Sequence, residues 1–374
     1  MRIALVRQRY SAYGGAERFI ERALAALGGQ GIALTLLARA WIGEPASVVR
    51  CDPFYVGRLW RDWRFARAVC REIARRPFDL VQSHERITCC DVYRAGDGVH
   101  AQWLRNRRAA LVPLGRLALA LNPYHAYILA AERRLFASAR LRAVICNSYM
   151  IRDEIRSWFG TAEEKLYVIY NGIDSETFHP RLRELHRSSM RQKLSIPIGA
   201  PVHLFVGGGF ERKGALRLLE AFARSRQHDA HLVIVGKDRA QSRAGRLARS
   251  LGVASRVHFA GAQDDVRPWY GASDSFVLPS LYDPFPNAAL EAMACGLPVV
   301  VTPQCGTAEL IEEGVDGFIV DALAVDTLAE RLARLDVSTA EAMGRRARER
   351  ARALSLQSMA EKLLALYRSL LNRA

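Results

Sequence analysis

The sequence predicts an α/β protein of two domains, each a parallel sheet with helices on its faces. Three observations point there. Short apolar runs of strand length alternate with amphipathic helical patterns along the chain. The alternation breaks at a polar, basic stretch, 184–193, and then resumes. The chain has 374 residues, 50% of them hydrophobic, which is enough for two substantial cores.

The first domain is expected over residues 1–165, with strands at 2–6, 33–37, 80–82 and 143–146. After a Gly14-Gly15 turn, 16–27 reads as a helix. A second helix is expected at 150–159, with Ser148 as its N-cap. The stretch 184–193 fits a linker or short helix.

The second domain is expected over 166–352. Its strand candidates are 167–170, 202–206, 231–235, 257–260, 275–278, 298–302 and 318–320. Helical patterns fall at 216–224, 245–251, 266–271, 287–294 and 308–312. The last segment, 353–374, places Met359, Leu363, Leu366, Tyr367 and Leu370 on one helical face. That stripe predicts a helix returning to pack on the first domain. Two such halves joined by a linker imply a cleft, with ligands at the C-terminal ends of the strands.

Charge narrows the partners. The formal net charge is +16, and residues 1–165 hold 27 Lys/Arg against 15 Asp/Glu. A basic first half implies nucleic acid, an acidic lipid surface or a phosphorylated substrate. No helix-turn-helix, zinc or RNP pattern accompanies it, which argues against nucleic acid. No apolar run reaches the ~20 residues of a spanning helix. The N-terminus, 1–6, reads as a strand rather than a signal peptide. Seven cysteines with irregular spacing suggest reduced thiols in the cytoplasm. Cys89-Cys90 has no second pair at zinc spacing and reads as structural.

The chemistry-bearing stretch is Gly207-Gly208-Gly209-Phe210-Glu211-Arg212-Lys213-Gly214, between an apolar strand and an amphipathic helix. A glycine turn there brings backbone N–H groups and a helix end toward a ligand. Arg212 and Lys213 add two charges, and lysine is rare, with five in the chain. The arrangement suits a pyrophosphate and also suits a solvated turn. Downstream, Lys237 follows a strand, and 257–261 is a strand ending in a turn suited to a flat base. Asp283 precedes a helix opening at Asn287 and Ala288, and Glu291 follows Asp283 by eight residues. Ionised carboxylates accept several hydrogen bonds and so suit sugar or ribose hydroxyls.

Together these pieces resemble the family 4 glycosyltransferases, retaining enzymes of the GT-B fold. Matching stretches are 14–18, 168–174, 210–214, 283–298 and 306–310 with Gly314 and Asp316-Gly317. The resemblance implies that Arg212 and Lys213 hold the diphosphate of a nucleotide-sugar donor. It implies that Glu291 bonds the ribose and Asp283 the donor hexose, assisted near Asn287 and Ala288. Gly14 and Gly15 would let the first loop approach the phosphates and the transferring sugar, Gly208, Gly209 and Lys237 would be further donor contacts, and the segment with His258 and Phe259 would contact the base. Where the family has Glu, this chain has Asp283, which keeps the charge and shortens the reach.

A narrower resemblance is to the lipopolysaccharide-core glucosyltransferases that act on the inner-core heptose. It rests on 13–15, on 91–98 with Asp97, and on 210–214. Asp97 is then expected to contact the acceptor or the donor hexose. His84 could line the same cleft or be structural. The resemblance implies UDP-glucose as donor substrate, a lipid-linked glycan acceptor and no bound cofactor. Alternatives are a mannosyl- or N-acetylhexosaminyltransferase, or a non-catalytic nucleotide-sugar or nucleic-acid-binding protein. No Asp-x-Asp pair occurs, and with Arg212 and Lys213 present a metal-independent reaction is expected. Segment 103–143 mixes leucines, Trp103 and tyrosines with arginines and only Glu132 as acid. It suits an anionic inner-membrane surface, peripheral on the cytoplasmic face.

Overall fold

Two parallel sheets organise the chain in this computed structural model, which describes residues 1–9, 32–40 and 47–372. The chain divides into one unit of Met1–Gly172 with Leu356–Ala374 and a second of Ile173–Ser355. The helix expected at 16–27 and the Gly14-Gly15 turn lie outside the described residues.

The first unit opens with β1 (Arg2–Val6), β2 (Ala33–Ala38), β3 (Val48–Arg50), α1 (Gly57–Arg75), β4 (Leu80–Ser83) and β5 (Val92–Arg94). Then come α2 (His100–Ala109), α3 (Pro113–Ala120), α4 (Pro123–Phe136), β6 (Ala143–Cys146), α5 (Tyr149–Phe159) and β7 (Leu166–Val168). The sheet order is β3-β2-β1-β4-β5-β6-β7. Ser148 caps α5, its side chain accepting from the Ile151 N–H at 3.2 Å. The strand expected at 167–170 belongs here rather than to the second sheet, because β7 pairs with β6. A strand following a helix by a short connection pairs most simply beside the strand before that helix.

The second unit contains α6 (Arg181–Lys193), β8 (Val202–Val206), α7 (Phe210–Lys213), α8 (Ala215–Arg224), β9 (His231–Val235), α9 (Gln241–Ser250) and β10 (Val257–Gly261). It continues with α10 (Arg267–Ala272), β11 (Ser275–Val277), α11 (Asn287–Ala294), β12 (Val299–Val301), β13 (Gly317–Ile319), α12 (Val325–Ala333) and α13 (Val337–Arg352). Its order, β10-β9-β8-β11-β12-β13, is again parallel throughout. The polar stretch 184–193 is part of a helix, and its charges explain why. Arg183, Arg187 and Arg191, one turn apart on α6, all reach the buried Asp274 carboxylate, at 3.0, 2.7 and 2.6 Å. Burial works against that charge, but Arg191, Arg187 and Arg183 outweigh it and hold the carboxyl below its usual range.

The final helix, α14 (Leu356–Asn372), joins the first unit's core. Met359, Leu363, Leu364, Leu366, Tyr367 and Leu370 pack with Ile3, Leu5, Leu80, Val92, Ile145 and Ile169. The Tyr367 hydroxyl donates to Gln82 Oε1 at 2.6 Å, placing its one polar atom inside that apolar face.

One cysteine expectation fails. Cys70 on α1 and Cys89 after β4 form a disulfide, with Cα atoms 5.7 Å apart. The other five cysteines are free and buried. Their spacing gave no sign of the bond, because α1 and the β4–β5 loop meet only in the folded sheet.

Candidate active site

Strand β8 delivers the chain into the glycine turn at the C-terminal edge of the second sheet. Gly214 has φ +81°, and a Cβ there would lie 2.0 Å from the Pro279 carbonyl oxygen. At Gly207 a Cβ would meet Lys213 Cδ and Nζ at 2.9 Å, so the lysine folds back over bare backbone. Phe210 is fully buried against Phe205, ring centroids 5.9 Å apart, which anchors the single turn of α7.

That turn aims both cations at one place. Lys213 Nζ and Arg212 Nη1 each lie 3.5 Å from Asp283 Oδ2. Arg212 Nη1 also donates to the Tyr282 carbonyl at 2.9 Å. Asp283 is held by its backbone: its N–H donates to the Gln304 carbonyl at 3.0 Å, and its carbonyl accepts from Gly306 N–H at 2.9 Å. One anionic oxygen is therefore within reach of two cations.

Glu291 is buried on α11, two turns beyond Asp283. The Tyr270 hydroxyl lies 2.9 Å from its Oε2 and 3.1 Å from the Ala288 carbonyl. Tyr270 thus fixes the carboxylate and the opening turn of α11 together. The N-cap of that helix is Pro286, which supplies no side-chain oxygen to the N–H groups of Asn287 and Ala288.

The N–H groups of Gly209 and Phe210 donate to Asp238 Oδ2 at 2.7 and 3.2 Å, so a carboxylate already occupies the turn's backbone donors. Burial opposes the Asp238 charge, but the N–H groups of Ala240, Gly209 and Phe210 keep its carboxyl below the usual range. Lys237 is exposed beside it, its carbonyl 3.2 Å from where a Gly208 Cβ would stand. His258 lies near the start of β10, and its Nε2 is 3.0 Å from Nδ1 of His231, the first residue of β9. Phe259 pairs with Ile234 within the sheet, half-buried. His258 is therefore three residues from the strand end, ~10 Å back from the edge that carries the turn.

In the first unit, Asp97 sits in the turn after β5, where Arg7 Nη1 approaches it to 3.6 Å and Glu85 to 3.8 Å. Arg86 braces this corner, donating to Glu132 Oε1 at 2.9 Å and to the Gly98 carbonyl at 3.1 Å. Asp97 borders a cavity of about 280 Å³ that also takes in Arg7, Asp62, Glu85 and Tyr124. Burial raises the Glu85 carboxyl above its usual range, against the pull of Arg7. His84 is buried, 3.3 Å from Gln82 Nε2. Burial, with Arg94 and Arg7 nearby, drives its pKa well down. Gly14 and Gly15 lie outside the described residues. Among the described residues no group of three or more His, Cys, Asp or Glu is placed to hold a metal ion.

Comparison with known proteins follows the same division of the chain. Residues 13–177 match the profile described as Glycosyltransferase Family 4, and residues 200–336 the one described as Glycosyl transferases group 1. The chain belongs to the family 4 glycosyltransferases. The lipopolysaccharide glucosyltransferase WaaG of Escherichia coli is 26% identical over 326 residues, 86% of this chain and 85% of that one. The lipopolysaccharide core biosynthesis glycosyltransferase LpsE of Rhizobium meliloti is 41% identical over 131 residues, 35% of this chain and 38% of its own length. The crystal structure of WaaG superposes with a TM-score of 0.83 at 25% identity, covering 98% of this chain and 99% of that one. This family 4 member therefore has the GT-B fold.

Sequence reasoning missed Tyr270, Arg7 and any role for Asp238 in this glycosyltransferase. The aspartate was within its reach, since Asp238 follows a strand beside the glycine turn. Tyr270 and Arg7 carry no local signal.

Proposed function

We propose that the protein transfers a hexose, glucose from UDP-glucose first among candidates, to a lipopolysaccharide-core or other cell-surface glycan acceptor, with retention at the anomeric carbon. The observation that carries this is the shared reach of Lys213 and Arg212 to one carboxylate oxygen. A phosphate oxygen of a nucleotide-sugar is an anion of similar size. As the bond from the anomeric carbon to the β-phosphate oxygen breaks, charge grows on that oxygen. Two fixed cations stabilise it more than they stabilise the intact donor, which lowers the barrier. The acceptor hydroxyl oxygen then bonds the same face of the carbon, and its proton passes to the departing phosphate. Asp283 bonds the donor hexose, Glu291 the ribose, and Asp97 a hydroxyl of acceptor or donor. The cationic pair replaces a divalent ion, and no cofactor is needed.

The likeness to a lipopolysaccharide glucosyltransferase over most of both chains supports the acceptor class. Thermal shift with UDP- and GDP-sugars, then transfer to truncated lipopolysaccharide core, tests the reading. UDP-glucose is expected to raise the midpoint and to be consumed in the presence of EDTA. Loss of transfer on chelation defeats metal independence, and transfer only from a GDP-sugar defeats the donor assignment.

The protein works at the cytoplasmic face of the inner membrane, bound peripherally through α3. Leu114, Leu117 and Leu121 stand exposed there beside Arg116, Leu114 at 78%. Among the described residues no helix is long and apolar enough to cross a membrane. Cysteine usage lends this location no support, because Cys70 and Cys89 are bonded.

A further inference from the structure

The second unit holds a cavity of about 420 Å³, a size that small ligands fill. Asp274 and Leu297 border it, just before β11 and β12 begin. The cavity therefore opens at the N-terminal edge of the sheet, whereas the glycine turn follows β8 at the C-terminal edge. Ligands of a parallel sheet ordinarily sit at the C-terminal edge, so this cavity is no part of the donor cleft. Its walls are built closely. A Cβ at Gly344 of α13 would lie 1.9 Å from the Gly296 carbonyl oxygen, and one at Gly271 of α10 would lie 2.2 Å from that of Leu182 on α6.

Charge lines it unevenly. Glu341, Arg345, Arg348, Glu349 and Arg352 share one face of α13 and form one wall. Glu341 is taken by Arg345 at 3.1 Å, and Asp274 by Arg183, Arg187 and Arg191. That leaves Arg348 and Arg352, with Glu184 and Glu349, around the opening. Among the described residues Arg352 makes no ion pair. Burial and then Arg352, with a smaller push from Arg181, hold the Arg348 guanidinium below its usual range, against Cys295 and Glu176. Cations crowded in this way are relieved by an entering anion.

Helix α11 joins the two edges, its 8 residues spanning ~12 Å. Tyr270 borders the cavity, and its hydroxyl lies 2.9 Å from Glu291 Oε2 and 3.1 Å from the Ala288 carbonyl. At the far end Arg348 donates to the Ala294 carbonyl. Two residues of the cavity wall thus grip the helix that carries Glu291.

We propose that this cavity binds a small phosphate monoester bearing hydroxyls, of the sugar-phosphate class, and that its occupancy alters nucleotide affinity through α11. Arg348 and Arg352 meet the phosphate, while Glu184 and Glu349 accept from the hydroxyls. An anion that draws Arg348 toward Arg352 loads its bond to Ala294 and so moves α11. Linkage makes the effect mutual: the nucleotide changes the effector's affinity by the same factor. The binding claim stands apart from the glycosyl-transfer reading, and the coupling claim rests on Glu291 as the ribose contact of that reading.

The experiment titrates glucose 6-phosphate, inorganic phosphate and glucose into the full chain by calorimetry, free and saturated with UDP. Wild type is compared with Arg352→Ala and Lys213→Ala, with circular dichroism to confirm folding. Glucose 6-phosphate is expected to bind the UDP-loaded wild type, about tenfold more weakly in Arg352→Ala and equally in Lys213→Ala. Inorganic phosphate should bind more weakly and glucose not at all. Saturating glucose 6-phosphate should change the Kd of UDP about fivefold in wild type and not in Arg352→Ala. Donor hydrolysis without effector should match wild type in Arg352→Ala. Absence of glucose 6-phosphate binding to wild type, or equal binding in Arg352→Ala, overturns the site. Binding lost in Lys213→Ala assigns it to the glycine turn instead. Binding with the Kd of UDP unchanged overturns the coupling. If UDP itself does not bind, the nucleotide-sugar reading fails, and titration of the free chain still decides the cavity.

Discussion

The glycine turn of the second unit positions its cations by local geometry, whereas the cavity of the first unit gathers charges from distant parts of the chain. Lys213 lies over Gly207 six residues back, and Arg212 is its neighbour. Arg7, Glu85 and Asp97 come from three separate strand ends, and Arg86 finds Glu132 across 46 residues. A site of the first kind depends on its own turn. A site of the second kind depends on the whole sheet that holds it. Damage should therefore spread differently in the two units.

The largest effect is expected from Leu363→Ala in α14, a fully buried member of the first unit's core. It should cost about 2–5 kcal/mol of stability. Limited proteolysis should then digest the first unit while a fragment near Ile173–Ser355 persists. Simultaneous loss of both units would show that they unfold as one.

Lys213→Ala should lower kcat/KM by about 10²–10³, roughly 3 kcal/mol, with the melting midpoint almost unchanged. A large drop in midpoint would mean that the turn is not locally self-sufficient.

Asp238→Ala tests the turn's brace. Losing a carboxylate that accepts from backbone N–H groups should cost about 1 kcal/mol and a smaller share of activity than Lys213→Ala. The Asp238 carboxyl sits below its unfolded value, so its stabilisation is present above that value and is lost as pH falls through the folded one. Melts of wild type and variant should converge in acid; a gap that persists there assigns the effect to packing.

The smallest expected effect is on pH. Burial, with His258 and Arg256 nearby, lowers His231 to about 4. Below about pH 6.5 the unfolded chain takes up a proton that this folded ring resists, so stability falls as the pH drops from there toward 4. His231→Gln should flatten that decline, and an unaltered slope would place the titrating group elsewhere.

The second unit was the more legible half. Residues 202–206, 231–235 and 287–294 are read from the sequence with the bounds they have in the structure. Each is an apolar run broken by a single histidine, His203 or His231, or a helix opened by proline, so burial and local preference agree. In the first unit β5 escaped notice, because Val92–Arg94 ends in a buried arginine whose partner, Asn171, lies 77 residues away. Helix α1 was masked by its arginines, which surround a three-residue buried stripe. Motif order singled out Lys213, Arg212 and Asp283, but the meeting of both cations at one Asp283 oxygen is a fact of the fold. The grip of Tyr270 on Glu291 spans 21 residues with no spacing rule to suggest it. For His258 the sequence shows a strand but not which of its ends reaches the ligand edge.

Helix α14 also sets an order of events during synthesis. Ile3 and Leu5, translated before the second unit, complete their core only when Met359 to Leu370 have emerged. The second unit carries no such debt and can fold on the ribosome ahead of the first. A premature stop after Ser355 would therefore leave a finished second unit tethered to an N-terminal sheet with one apolar face bare. Such a product would be a target for chaperones and proteases although every residue of its glycine turn is present.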